Sequence, residues 1–278
     1  MALTVNTNMS SLITQRNMSN ATSLLNDAIE RMSTGYKINH ARDNAANFSI
    51  ATSWVTKLGS VDVASENASM GMDMLTTMEG NLGLVTTHLQ RLRDLTEQAA
   101  NGTYGENSLS AIKQEMDARL SEISRISNIT EYNGISLFDG KDSNVVLQVG
   151  INGTPNDKIT LDSSLFAKAT ATALLGASFS TTAAASATAA GALNTIDTKL
   201  KEISDRITKI GALQNSISSA ITTLSVQSEN VTSSLSTIRD TDVAAESSAY
   251  IKAQILQQAS ATLLSTANQS PSIALNLL

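Results

Sequence analysis

The sequence predicts a mainly α protein, a long antiparallel coiled-coil-like helical bundle carrying one small β-hairpin. Three observations carry that prediction. Aromatic residues make up 3% of the 278, with two Pro, one Trp and no Cys, so the rings and turns of a compact enzyme domain are scarce. Hydrophobic residues are 41% and charged residues 16%, too apolar a balance for a disordered chain. In two long stretches the apolar residues recur at steps alternating between three and four, the spacing of a coiled-coil seam.

Residues 9–34 form the first expected helix. Ala21, Leu24, Leu25, Ala28, Ile29 and Met32 share a face, and Gly35 supplies the stop. Residues 36–43 lack periodicity and read as a connector. The first seam follows on a helix from Ala45 to Asn101: Leu58, Val61, Ser65, Ala68, Met72, Leu75, Met78, Leu82, Val85, Leu89 and Leu92. A third helix, about 108–129, buries Leu109, Ile112, Met116, Leu120 and Ile123.

Tyr132-Asn133-Gly134 and Asp139-Gly140 are turn signals. Val145, Leu147 and Val149 alternate, Asn152-Gly153 and Pro155-Asn156-Asp157 turn the chain, and Ile159 and Leu161 alternate again, which predicts the hairpin. Residues 163–190 are mostly Ala, Ser and Thr and read as a surface segment without a packing signature. The second seam is Leu193, Ile196, Leu200, Ile203, Ile207, Ile210, Gln214, Ile217, Ile221, Leu224, Ser228, Val231, Leu235 and Ile238. Beside it, Asp197–Lys201, Glu202–Arg206 and Asp205–Lys209 have the spacing of helical ion pairs. A last helix is expected to reach about Ala267, with Ser270-Pro271 breaking it before the apolar end.

The chemistry of common enzymes is missing from the pattern. Two histidines, His40 and His88, begin no His-Glu-x-x-His motif, and there is no phosphate loop or nucleophile elbow. No catalytic, cofactor or metal residue is therefore expected. Nineteen basic and 25 acidic residues give a net charge of -6 without a basic block, which argues against nucleic acid. No stretch approaches the roughly 18 apolar residues of a membrane span, so no membrane insertion is expected. The N-terminus lacks the layout of a cleaved secretory signal. The apolar ends suggest burial by self-assembly, with packing against the chain's own bundle as the equal alternative.

Ala28-Ile29-Glu30-Arg31-Met32-Ser33-Thr34-Gly35-Tyr36-Lys37-Ile38-Asn39, continued by Ala41-Arg42-Asp43-Asn44-Ala45-Ala46, resembles the N-terminal signature of bacterial flagellins. Leu89-Gln90-Arg91-Leu92-Arg93-Asp94-Leu95 resembles their second signature. Ile238–Asp242, Lys252–Gln258, Ala267–Pro271 and the closing Leu277-Leu278 resemble the third. The resemblance covers about 1–140 and 190–278.

It implies a short-form flagellin whose N- and C-terminal halves pack together, with about 141–190 in place of the family's large outer domains. Residues 1–43 and 240–278 would form the filament's inner core, unfolded in the monomer for want of internal partners, with Leu12, Leu24, Leu25, Ile255, Leu256, Leu263 and Leu264 in the polymerisation contacts. Residues 44–239 would form a rod domain, with the hairpin at about 141–162 and the surface segment at about 163–190, a candidate for O-glycosylation. The implied partners are copies of itself, the flagellar type III export apparatus, the filament cap and an export chaperone, and the implied location is the secreted filament. The resemblance also implies recognition by Toll-like receptor 5. Leu84, His88, Arg91 and Leu95 fall within about 60° of one another beside the seam. Gln90, Arg91, Leu95 and Glu115 occupy the positions matching the recognised surface. A hook–filament junction protein of the same family is the alternative, followed by a coiled-coil secretion translocator or adhesin.

Overall fold

The computed structural model describes residues 7–140, 144–184 and 188–275, without the side chains of 181 and 270–275. The first six residues and the closing Leu277-Leu278 lie outside the described residues. The helices are α1 (Met9–Thr34), α2 (Ala45–Ala100), α3 (Glu106–Ile129), the short α4 (Ala171–Leu175) and α5 (Phe179–Ala183), α6 (Ala189–Arg239) and α7 (Val243–Leu275). Two antiparallel pairs complete the order: β1 (Glu131–Tyr132) with β2 (Ile135–Ser136), and β3 (Val145–Gln148) with β4 (Lys158–Leu161). The chain divides into two compact units, 1–58 with 229–278, and 59–228. Their boundaries fall inside α2 and α6 instead of at the 43/44 and 239/240 junctions expected from sequence.

The smaller unit is organised by caps. The Asn8 side chain accepts a hydrogen bond from the Ser11 amide at 3.1 Å and opens α1, and Gly35 closes it in the left-handed region at φ 75°, where a Cβ is costly. The Asp242 carboxylate accepts from the amides of Ala244 and Ala245 and opens α7. Helix α7 runs through Pro271 to Leu275, past the break expected at Ser270-Pro271. Helices α1 and α7 lie antiparallel, so the terminal segments have each other as partners within one chain, contrary to the expectation that they have none.

In the larger unit, Leu75, Met78, Leu82, Val85, Leu89 and Leu92 of α2 are completely buried, and so are Ile196, Ile203, Ile210 and Ile217 of α6. The alternate seam positions Leu200, Ile207 and Ile221 are half-buried. One heptad position of α6 thus takes the centre of the core, and the other takes its rim. The hairpin β3–β4 adds Leu161 to the same core, and it lies so close to α2 that a Cβ on Gly71 would collide with the side chain of Leu147.

Three expectations are corrected here. Residues 163–190 are not a mere surface segment: Leu165, Phe166, Ala169, Ala171, Leu174, Phe179 and Ala183 are buried in the main core. Alanine and leucine fill space between helices there without any periodic contrast. The pairs flanking the second seam also differ. Asp197 binds Arg93 of α2 at 2.7 Å, Glu202 binds Lys199 at 2.9 Å, and Asp205 binds Lys201 at 2.8 Å. Arg206, expected on the solvent side with Glu202, is only 9% exposed. Finally, Tyr132-Asn133-Gly134 belongs to a second hairpin, with Asn133 at φ 49° and Gly134 at φ 74° in its two-residue turn.

Candidate interaction surfaces

The first surface is the α1–α7 hairpin. Small residues let the backbones approach: Ala21 and Ala28 on α1 and Ala253 and Ser260 on α7 are the buried positions, each pair seven residues apart. The register is fixed by polar fasteners along its length. Asn8 Nδ2 donates to the Ala267 carbonyl at 2.7 Å, Ser11 Oγ to Asn268 Oδ1 at 2.7 Å, and Gln257 Nε2 to Thr22 Oγ1 at 3.2 Å. At the other end the two connectors are clasped. The Lys37 amide donates to the Arg239 carbonyl at 2.8 Å, the Thr241 amide donates to the Gly35 carbonyl at 2.9 Å, and the Arg239 guanidinium lies 4.0 Å over the Tyr36 ring.

With alanines on the inside, the larger apolar side chains are left outside. Leu12 is 55% exposed, Leu24 56%, Leu256 42%, Ile255 59% and Leu263 60%. Leu25 and Leu264 are half-buried. Ile13, Ile29 and Ile251 are also exposed. Such a concentration of bare aliphatic surface on one hairpin exceeds what a solitary chain ordinarily presents.

The second surface lies on α2 and α3. Arg91 grips Glu115 with two parallel hydrogen bonds, Nε to Oε1 at 2.9 Å and Nη2 to Oε2 at 3.1 Å, the fork-on-fork geometry that fixes orientation. Arg119 approaches the same carboxylate at 3.5 Å. The Arg91 hydrogen bond is the main reason that the Glu115 carboxyl lies below its usual range, and Glu115 in turn raises Arg91. Gln90 is exposed beside them.

Leu95 does not join that surface; it is 1% exposed. At about 100° per residue, and with Arg91 at the origin, Leu95, Ala99, Leu92 and Thr96 fall at about 40°, 80°, 100° and 140°, and Arg93 at about 200°. Arg91 reaches α3 and Arg93 reaches α6. Everything between them is therefore covered by those two helices, and Thr96 and Ala99 are fully buried with Leu95. A single seam was expected, with Leu95 on its flank; the second neighbour turns the flank into core.

One functional-looking side chain escaped the pattern. Arg206 Nη2 donates to the carbonyls of Leu165 at 2.6 Å and Ala167 at 3.0 Å, and its guanidinium sits 5.4 Å over the Phe138 ring. Burial pushes it down to about 10, so it stays charged at neutral pH. Its only sequence signal is a charge one position before the seam residue Ile207.

Among known proteins, residues 5–143 match the bacterial flagellin N-terminal helical region, and residues 193–278 match the flagellin C-terminal helical region. This chain belongs to the bacterial flagellin family. A flagellin of Xenorhabdus nematophila is 35% identical over 317 aligned positions spanning all of both chains. Flagellin 1 of Proteus mirabilis is 41% identical over 162 residues, 58% of this chain and 44% of that protein. The chain thus spans less than half the length of the Proteus flagellin that it matches. A solved structure from Vibrio parahaemolyticus, provisionally assigned as a flagellar hook-associated protein, shares the fold with a TM-score of 0.60 at 18% identity, over 70% of this chain and 99% of that one. Flagellins are structural proteins of the flagellar filament.

Proposed function

We propose that this flagellin polymerises through the exposed aliphatic face of its α1–α7 hairpin. The carrying observation is that Leu12, Leu24, Ile255, Leu256 and Leu263 are all solvent-exposed on the paired terminal helices. The buried interface of that hairpin is alanine methyls and a serine, each methyl worth about 0.8 kcal/mol. Against this stands about 1–2 kcal/mol per residue of ordering entropy over helices of 26 and 33 residues, and helices in proteins draw most of their stability from the packing of a face. Burial of the outer leucines against neighbouring subunits supplies the missing stabilisation, so assembly and ordering of the ends occur together.

On this reading the chain leaves through the flagellar type III channel unfolded, held before export by a chaperone, and adds beneath the filament cap outside the cell. No described helix is long and apolar enough to cross a membrane. The Arg91–Glu115 pair with Gln90, beside the exposed Leu84, is open to a partner on the α2–α3 surface. It serves contacts between subunits and, in the monomer, recognition by Toll-like receptor 5. Leu95 acts there only by supporting the surface from beneath.

The deciding experiment deletes 240–278. The truncated chain is expected to remain helical and soluble and to yield no filaments on seeding; normal filaments by sedimentation would overturn the mechanism. In a receptor reporter assay Arg91→Ala monomer is expected to signal more weakly than the parent. Parental strength would remove Arg91 from the recognised surface without touching the polymerisation reading.

A further inference from the structure

Three Asn-Gly pairs occur in the chain, Asn101-Gly102, Asn133-Gly134 and Asn152-Gly153, and all six residues are exposed. Glycine leaves its own nitrogen open to approach from the preceding side chain. In the reaction this permits, the Gly nitrogen attacks the Asn Cγ, ammonia departs with the proton, and a five-membered succinimide closes. Water then opens either ring carbonyl, giving aspartate or isoaspartate. One water enters and one ammonia leaves, with no oxidation.

The fold treats the three pairs differently. Asn133 and Gly134 are the two residues of the β1–β2 turn, at φ 49° and 74°, held between the pairings Glu131↔Ser136 and Tyr132↔Ile135. Ring closure there must swing the Gly134 nitrogen toward the Asn133 side chain and break the turn. Asn152 is tethered: the Asp157 carboxylate accepts from its main-chain N–H and its side-chain amide, and its carbonyl accepts from Gln148 Nε2 at 2.7 Å. The amide that must leave is thereby held in place. Asn101 stands just past the end of α2, its N–H donating to the Gln98 carbonyl at 3.1 Å and its carbonyl accepting from the Tyr104 amide at 3.4 Å. Among the described residues nothing holds its side-chain nitrogen, the group that must leave. Its Oδ1 accepts from the Thr103 amide at 3.1 Å. That contact turns the side-chain carbonyl toward the main chain that follows it, and it offers a main-chain donor to the oxygen on which negative charge develops during attack.

We propose that Asn101 is the chain's site of spontaneous conversion to aspartate and isoaspartate, well ahead of the other two. The product has a local consequence. A carboxylate at the C-terminal end of α2 opposes the helix dipole, and the last turn of α2 has no basic residue to offset it. Isoaspartate also inserts a methylene into the main chain of the short loop joining α2 to α3, the two helices that Arg91 and Glu115 bridge.

The test incubates the purified full-length protein at mildly alkaline pH, folded and in urea, and maps peptides by mass spectrometry with detection of isoaspartate. In the folded protein Asn101 is expected to convert at least about tenfold faster than Asn133, whose turn must first open, or Asn152, whose side-chain amide must first leave Asp157. In urea the three rates are expected to converge. Thr103→Pro, which removes the N–H donor, is expected to slow Asn101 and leave the other two unchanged. Equal rates in the folded protein, the same ranking in urea, or an unchanged Asn101 rate in Thr103→Pro would each overturn the assignment.

Discussion

Replacing Arg206 with Met tests how the 163–168 stretch is held against α6. The thioether keeps most of the stem's packing but removes the guanidinium. Two charge-assisted bonds to the Leu165 and Ala167 carbonyls disappear, at about 1.5–3 kcal/mol each, with about 1 kcal/mol for the contact over Phe138. The gross loss is about 4–7 kcal/mol. Against it, burial lowers the group from its ordinary value to about 10, which corresponds to about 3 kcal/mol against the charged form, and Met is spared that cost. Arg206 Nε has no hydrogen-bond partner among the described residues, so nothing further is lost with it. The net expectation is a destabilisation of about 1–4 kcal/mol, or roughly 2–16 °C in Tm for a unit of this size. Thermal and urea unfolding give the magnitude, and amide exchange over 163–168 gives the location, because the two freed carbonyls loosen that stretch first. A variant within about 0.5 kcal/mol of the parent, with exchange unchanged, would refute the latch.

The core gives a graded prediction for α6. Ile203→Asp is expected to cost several kcal/mol, since a carboxylate is buried without a partner, whereas Ile207→Asp at the half-buried rim is expected to cost clearly less; thermal unfolding that ranks them the other way would displace the heptad assignment. Gly35→Ala forces a Cβ into the left-handed region at φ 75° and is expected to cost α1 about 1–2 kcal/mol, read as lost helicity of the terminal hairpin by circular dichroism and a slower filament yield. Because Glu115 is depressed by Arg91, its contribution is fully present above its ordinary value of 4.5 and fades as pH falls through the lower folded value. Glu115→Gln is expected to lower stability at pH 7 and to flatten that acid limb, so that its difference from the parent closes as pH falls, as pH-dependent unfolding would register.

The long helices were legible because heptad repetition survives any tertiary context. Leu75 through Leu92 and Ile196 through Ile217 are core wherever their partner comes from. Three things were invisible for physical reasons. Spacing along one helix pairs Asp197 with Lys201, whereas Asp197 finds its guanidinium on α2, a choice made by helix packing. One seam implies one neighbour and puts Leu95 on a flank, and only the return of α3 supplies the second. The alanine-rich stretch hid its packing because alanine gives no contrast between faces, although Leu165-Phe166, Leu174 and Phe179 were the apolar marks within it. On the terminal hairpin the face was legible but its sense was not, since the small residues, not the leucines, occupy the inside.

The clasp between the connectors has a consequence for the order of folding. The Lys37 ammonium reaches the Thr237 carbonyl across 200 residues of chain, and closing a loop of that length in a random coil costs about 5 kcal/mol before any contact stabilises it. Val61 and Ala64 pack with Leu224 inside the larger unit. Once that contact exists, the loop still to be closed shrinks to about 40 residues, and the penalty drops by about 1.5 kcal/mol. Closure of the clasp is then more than tenfold more favourable. Chain connectivity alone therefore makes the 59–228 unit the template, and leaves the two ends to register against each other as the final event.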